Sequence, residues 1–365
     1  MGGTRGGFLV SVTARCQELA QLIAEAAPPP LTIMEVCGTH SHEIARYGLK
    51  QLLPDQVRLI SGPGCPVCVT ADSDLDAIVQ IARQGAIIAT FGDMVRVPGP
   101  RGSLAEARAA GADIRVLYSP MQSLELARHE PGREVVLLGI GFETTAPSIA
   151  VTISDAAAEG RDNLSVYCAH KLIPPAMAAL VRDPESRIDA FLGPGHVSTI
   201  IGADAYSFLA EDYGIACAVA GFGPTDIMEA VYALVGQVKA GQAKVENCYT
   251  RAVQAEGNTV AQVQMAEVFE VTEADWRGLG TIPASGLRIR EQFAGLDVRN
   301  RYQLEPPSEY DPGPCICGEV LQGKAPPTAC PAFGSACTPQ SPIGPCMVSS
   351  EGSCAAVFKY QRQGA

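Results

Sequence analysis

The sequence lacks any run of about 18 consecutive apolar residues, the length a membrane-spanning helix needs. Its start, MGGTRGGFLVSVTARCQEL, carries one short apolar stretch without the small-residue cleavage site of a secretory leader. Neither membrane nor export is expected, and the chain reads as cytoplasmic. It also lacks a Lys/Arg cluster, and at a formal net charge of −12 it offers no electrostatic hold on a phosphate backbone. Nucleic acid is therefore not an expected partner. A GxxxxGK[ST] phosphate loop is missing too, and GFGPTD and GPGHVS are poor substitutes for one. With 365 residues, 47% of them apolar, the chain still has the material for a sizeable core and two or three domains.

Cysteine, by contrast, is plentiful. A reducing compartment does not sustain a disulfide framework, so thirteen cysteines point to metal binding or thiol chemistry. They are unevenly placed: Cys37, Cys65 and Cys68 lie early, and Cys315, Cys317, Cys330, Cys337, Cys346 and Cys354 crowd the tail. Cys16, Cys168, Cys217 and Cys248 stand alone and read as small buried apolar residues.

Between about residues 30 and 235, short β-rich apolar runs alternate with amphipathic segments. LTIMEV, VRLI, AIIATF, IRVLY, VVLLGI, LSVYCA, IDAFLG and IACAVAG read as buried strands; SDLDAIVQIARQG, SLAEARAAGA, PPAMAALVRD and PTDIMEAVYALVGQVKAG read as helices. This alternation predicts an α/β fold with parallel sheets. Two echoes, VRLISGPGC with IDAFLGPGH and LTIMEVCGTH with VVLLGIGFETT, suggest two related Rossmann-like units, over 30–140 and 141–238. From EPPSEYDPGPCICGEV onward proline, glycine and cysteine dominate, a composition that folds around something other than a conventional core. Residues 239–365, with the N-terminal helix ARCQELAQLIAEAA of segment 1–29 packed against them, form the expected third domain.

Ligands of open α/β sheets sit beyond the carboxyl ends of the strands. The chemically capable residues fall there: Cys37, His40 and His42; Cys65 and Cys68; Asp93; Glu143, Thr144 and Thr145; His196 and Ser198. Five loops are thus expected to converge on one crevice. Singly each motif is weak, since a lone histidine is more often a structural hydrogen-bonder. CPVC on a strand-to-helix turn suits a redox dithiol, with a zinc half-site completed by Cys37 and His40 as the alternative. In the tail, Cys315, Cys330, Cys337 and Cys354 suit a Cys₄ iron–sulfur site better than zinc, because their spacing is too loose for a ribbon of C-x₂-C pairs. Cys317 is an alternative to Cys315, and Cys346, among apolar neighbours, is discounted.

CGTHSHEIARYG, SGPGCPVCVT, GFETTAP, GPGHVSTIIG and the tail CICGEVLQGKAPPTACPAFGSACTPQSPIGPCMVSSEGSCAAVFKY, in this order, resemble the HypD family of [NiFe]-hydrogenase maturation factors from about residue 30 to the end. The resemblance implies a scaffold for assembling an Fe(CN)₂CO unit, working with a HypC-like small chaperone and a HypE-like cyanide donor. It implies that Cys37 ligates Fe(II), that His40 supports that site, that Cys65 and Cys68 are a redox pair, and that the tail holds a [4Fe–4S] cluster. Glu143, Thr144, Thr145 and His196 become polar surroundings or docking residues of the same crevice. Soft thiolate suits low-spin iron that must later be handed on, and releasing cyanide from a thiocyanate as the thiolate takes two electrons, which a dithiol or a cluster can supply. A stand-alone iron–sulfur, dithiol-dependent oxidoreductase acting on a small molecule is the competing expectation.

Overall fold

Strands β1 (Leu31–Glu35), β2 (Val57–Ser61), β3 (Ile87–Thr90), β4 (Asp113–Val116), β5 (Val135–Gly139), β6 (Leu164–Cys168), β7 (Ala190–Pro194) and β8 (Ala216–Ala220) fall on the eight apolar runs of the sequence, and a short β9 (Val245–Asn247) follows. The computed structural model describes residues 4–26, 29–307 and 311–360. In β5 to β8 every position is buried, as expected of strands covered on both faces. Two parallel, Rossmann-like sheets result, one ordered β2-β1-β7-β8-β9 and the other β4-β3-β5-β6. Each has a point where strand order reverses, between β1 and β7 in the first and between β3 and β5 in the second. A crevice opens at such a point, because the connections on its two sides leave in opposite directions.

The sheets do not divide the chain at residues 140 and 141. After β2 the chain leaves the first sheet, builds the whole of the second from β3 to β6, and returns at β7 to pair with β1. The two Gly-Pro-Gly turns consequently lie in the same sheet on either side of β1, and their echo does not mark a repeat. Local pattern could not reveal this, since a buried parallel strand reads alike whichever neighbour it pairs with.

The segment 1–29 also departs from expectation. Helix α1 (Thr4–Glu25) buries Cys16, Leu19 and Ile23 against Ile227, Val231 and Leu234 of the helix Pro224–Ala240, on the first sheet. That helix offers a continuous apolar stripe, which a tail of proline, glycine and cysteine does not. Part of residues 259–300 likewise packs on the second sheet: Val268, Phe269, Leu287, Ile289 and Leu296 cluster with Ile87, Val135 and Leu164. Within them, β10 (Phe269–Trp276) and β11 (Gly280–Ile289) make an antiparallel hairpin with an irregularity between Thr272 and Ala274. Its Trp276 is buried, donates from Nε1 to Ser285 Oγ at 2.8 Å, stacks on Phe142 at 6.1 Å and bridges to Thr70. The hairpin thereby braces two of the crevice loops from beneath. Among the described residues no helix is long and apolar enough to cross a membrane.

Candidate functional site

Cys37 ends the loop after β1 and caps helix α2 (Gly38–Arg46), at the reversal point of the first sheet. The turn after β2 presses directly onto it. Gly38 donates its N–H to Gly64 O at 2.8 Å, and a Cβ on Gly64 would lie 2.2 Å from Cys37 N, so only glycine permits this approach. Cys37, Thr39, Thr144, Thr145, His196 and Glu351 line a cleft of about 400 Å³. Burial, reinforced by the charge of Glu351, pushes the Cys37 thiol up to about 12, while the N–H groups of His40 and Thr39 in the first turn of α2 pull weakly the other way. At neutral pH this favours the neutral thiol over the thiolate. Beneath it, Glu35 is buried and accepts from Cys37 N at 3.1 Å and from the Ser41 hydroxyl; desolvation pushes its carboxyl up to about 7.

His40 is fully buried, and its Nε2 lies 2.9 Å from Gly221 O. A carbonyl only accepts, so Nε2 carries the proton and Nδ1 is left bare, with no hydrogen-bond partner. Burial lowers the ring to about 4, which keeps it neutral. Phe222, beyond β8, sits 5.0 Å from the His40 ring and stacks at 3.9 Å on His196, so the two imidazoles flank one benzyl ring. Glu143 is buried behind the cleft wall; its Oε1 accepts from Ile173 N at 3.0 Å, its Oε2 has no partner, and desolvation pushes it up to about 7.

Cys65 caps the short helix α3 (Pro66–Val69), its Sγ accepting from Cys68 N at 3.2 Å, and the two cysteines are joined as a disulfide with their Cα atoms 5.2 Å apart. Both are buried in one apolar cluster with Cys317 and Cys346 of the tail, whose sulfurs lie 2.8 Å from each other. The S–H of Cys346 lowers Cys317, and Arg277 adds to this; Cys346 is raised in return. Arg277 also donates to Val69 O at 3.0 Å and Thr70 O at 3.1 Å, tying the exit of α3 to the neighbourhood of Cys317.

Cys330, Cys337 and Cys354 pack around Ala332 and Met347. Burial pushes Cys315 up to about 12, with the nearby Cys317, Cys330 and Cys354 contributing. Among the described residues no three His, Cys, Asp or Glu side chains form a group that could hold a metal ion. The tail is strapped over the crevice. Thr39 Oγ1 donates to Glu351 Oε1 at 2.8 Å, Ser349 Oγ to Asp93 Oδ2 at 2.8 Å, and His42 bonds Ser350 O at 3.1 Å and Tyr360 OH at 3.0 Å.

Of the residues expected from sequence, Cys37, Thr144, Thr145 and His196 reach the cleft, and His40 and Glu143 stand behind it. Cys65 and Cys68 are one layer back, behind Gly64 and Pro66. His42 and Asp93 serve the tail instead, and Ser198 turns its hydroxyl to Pro194 O at 2.7 Å. Cys346, discounted from its apolar surroundings, touches Cys317. Glu351, Thr39, Phe142 and Phe222 were not singled out. Thr39, inside CGTH, and Phe142, inside GFETT, stand next to a visible signal.

The chain matches the model of the Hydrogenase formation hypA family, HypD, over residues 14–361. It is 48% identical over 353 residues to the Hydrogenase maturation factor HypD of Rhodobacter capsulatus, covering 95% of this chain and 94% of that protein. The corresponding factor of Azotobacter vinelandii is 48% identical over 365 residues, covering 98% and 96%. That of Escherichia coli (strain K12) is 46% identical over 349 residues, covering 95% and 94%.

Proposed function

The chain belongs to the HypD family and has a role in hydrogenase maturation, and within that role we propose that it is the scaffold on which iron receives cyanide and CO ligands, held at Cys37. One observation carries this reading. Three thiol-bearing segments are packed in series: the Cys37 loop on Gly64, the Cys65–Cys68 turn behind it, and the Cys317 and Cys346 pair sharing its apolar cluster. In this reading electrons entering at the tail would reach the cleft through the Cys65–Cys68 pair.

Each residue has work to do in this scheme. Cys37 takes the iron cargo as thiolate, releasing its proton as the cation replaces it. Neutral His40 anchors the backbone beyond β8 through Nε2 and keeps Nδ1 free to accept a hydrogen bond. Cys65 and Cys68, once reduced, deliver the two electrons that turn an incoming thiocyanate into cyanide and a thiolate. Cys315, Cys330, Cys337 and Cys354 would hold a [4Fe–4S] cluster, which supplies single electrons when bound. A HypC-like small chaperone sharing the iron and a HypE-like cyanide donor are the partners this chemistry needs, and the cleft between Thr144, His196 and Glu351 is where they would meet Cys37.

The test is infrared spectroscopy of the protein purified anaerobically with its small chaperone, comparing wild type with Cys37→Ala. Two cyanide bands and one CO band that vanish in the variant are expected. An iron–sulfur spectrum without such bands would instead favour a self-contained oxidoreductase.

A further inference from the structure

Nothing in the local sequence marks Glu351, yet the fold builds a place for it. It lines the cleft beside Cys37, and Thr39 holds its Oε1. The other oxygen, Oε2, has no hydrogen bond among the described residues and approaches the first residue of α2: a Cβ on Gly38 would lie 3.2 Å from Oε2 and 2.6 Å from Glu351 Cβ. The carboxylate can be there only because residue 38 is glycine. Its backbone is fixed as closely, with Glu351 N donating to Ser349 Oγ at 3.2 Å and a Cβ on Gly352 falling 2.2 Å from Cys346 O. Glu351 thus rides on the tail, between Cys346 and Cys354, and is delivered to the Cys37 loop from the far end of the chain.

We propose that Glu351 is the second group of the Cys37 cleft that faces the iron cargo, and that the cleft gains its full affinity for a divalent cation only after the cysteine-rich tail has folded. The proposal rests on the scaffold reading above. A divalent cation beside one thiolate keeps a residual positive charge, which is costly in a buried site. One carboxylate at the same wall neutralises it. Oxygen also binds more weakly than sulfur to a soft low-spin centre, so a carboxylate can yield its place when stronger ligands arrive, whereas a second protein thiolate would hold on. The arrangement imposes an order of assembly: tail first, iron second.

The experiment is an anaerobic titration of the reduced full-length chain with Co(II), followed by absorption, in wild type, Cys37→Ser, Glu351→Gln and Glu351→Asp. The cleft signal is the part of the sulfur-to-cobalt charge-transfer and d–d absorption that Cys37→Ser lacks. Glu351→Gln keeps the shape of the side chain and an oxygen for Thr39, so the fold should survive, as circular dichroism will check. It is expected to weaken the cleft signal's affinity on the order of tenfold or more, to shift its d–d bands and to leave the charge-transfer band in place, with Glu351→Asp recovering part of the loss. A second arm, Cys346→Ser with Cys354→Ser, should weaken the cleft signal by a similar factor although Cys37 and Glu351 are both intact. Wild-type affinity and bands in Glu351→Gln overturn the proposal. A Cys37→Ser protein that binds Co(II) as wild type does overturns the scaffold reading itself, a separate failure.

Discussion

Replacing Gly64 with alanine inserts a single methyl group where two backbones touch. The new Cβ would meet Cys37 N at 2.2 Å, Val36 C at 2.3 Å and Cys37 Cα at 2.5 Å, none of them on a side chain that can swing away. The turn and the Cys37 loop must separate by roughly 1 Å to reach ordinary packing distance. Such a shift breaks the 2.8 Å bond from Gly38 N to Gly64 O, and losing a buried hydrogen bond costs about 1–3 kcal/mol. Overpacking adds about 1–3 kcal/mol, so the substitution should cost about 2–6 kcal/mol of a total that is typically about 5–15 kcal/mol. Urea unfolding should show the midpoint falling accordingly. Alkylation followed by mass spectrometry should show Cys37, 7% exposed in the native fold, reacting faster in the variant. Gly132→Ala, where a Cβ meets nothing within 4 Å, is the control and should leave both readouts unchanged. An unfolding midpoint for Gly64→Ala equal to that of the control would falsify the close-approach argument.

Gly236 lies inside the helix Pro224–Ala240 with open space around its missing Cβ, so Gly236→Ala should stabilise by about 0.5–1 kcal/mol; a lower melting temperature would count against the packing described for that helix. Glu143, raised by burial from 4.5 to about 7, binds its proton more tightly folded than unfolded, so its carboxylate destabilises progressively between those pH values and by a constant amount above them. At about 1.4 kcal/mol per unit, Glu143→Gln should gain on wild type by up to about 3 kcal/mol between pH 4.5 and pH 7.5, as read from paired unfolding curves; a pH-independent difference contradicts the assignment. His42→Ala removes the bonds to Ser350 O and the Tyr360 hydroxyl. Amide hydrogen exchange should then quicken across residues 349–360 and stay unchanged in β5 and β6, whereas uniform protection would mean that the tail is held by other contacts.

Much of the architecture was legible in the residues. Eight apolar runs became eight strands, and β5 to β8 most plainly, because a strand buried on both faces needs an unbroken β-rich stretch, and that is a local property. Helices such as Asp72–Arg83, acidic in its first turn, and Leu104–Ala109, opened by the Ser103 and Glu106 capping box, announce themselves in the same way. The site was half legible. Residues at the carboxyl ends of strands had to face a crevice, so Cys37, Thr144, Thr145 and His196 could be placed there from the chain alone. Glu351 could not, for its neighbours in sequence are serine and glycine, and its role in the cleft comes from Gly38, more than three hundred residues away in the chain.

By itself, then, the sequence determined the α/β class, the strands, several of the loops that reach the cleft and the thiol-rich nature of the tail, since periodicity, turn residues and composition act between neighbours along the chain. Tertiary structure alone decided that β7 pairs with β1, that α1 lies on the helix Pro224–Ala240, that Cys346 meets Cys317 and that Glu351 stands beside Cys37. Those outcomes depend on which of several similar apolar surfaces fit together. That fit is a property of shapes and buried volumes, and no stretch of sequence contains both of its halves.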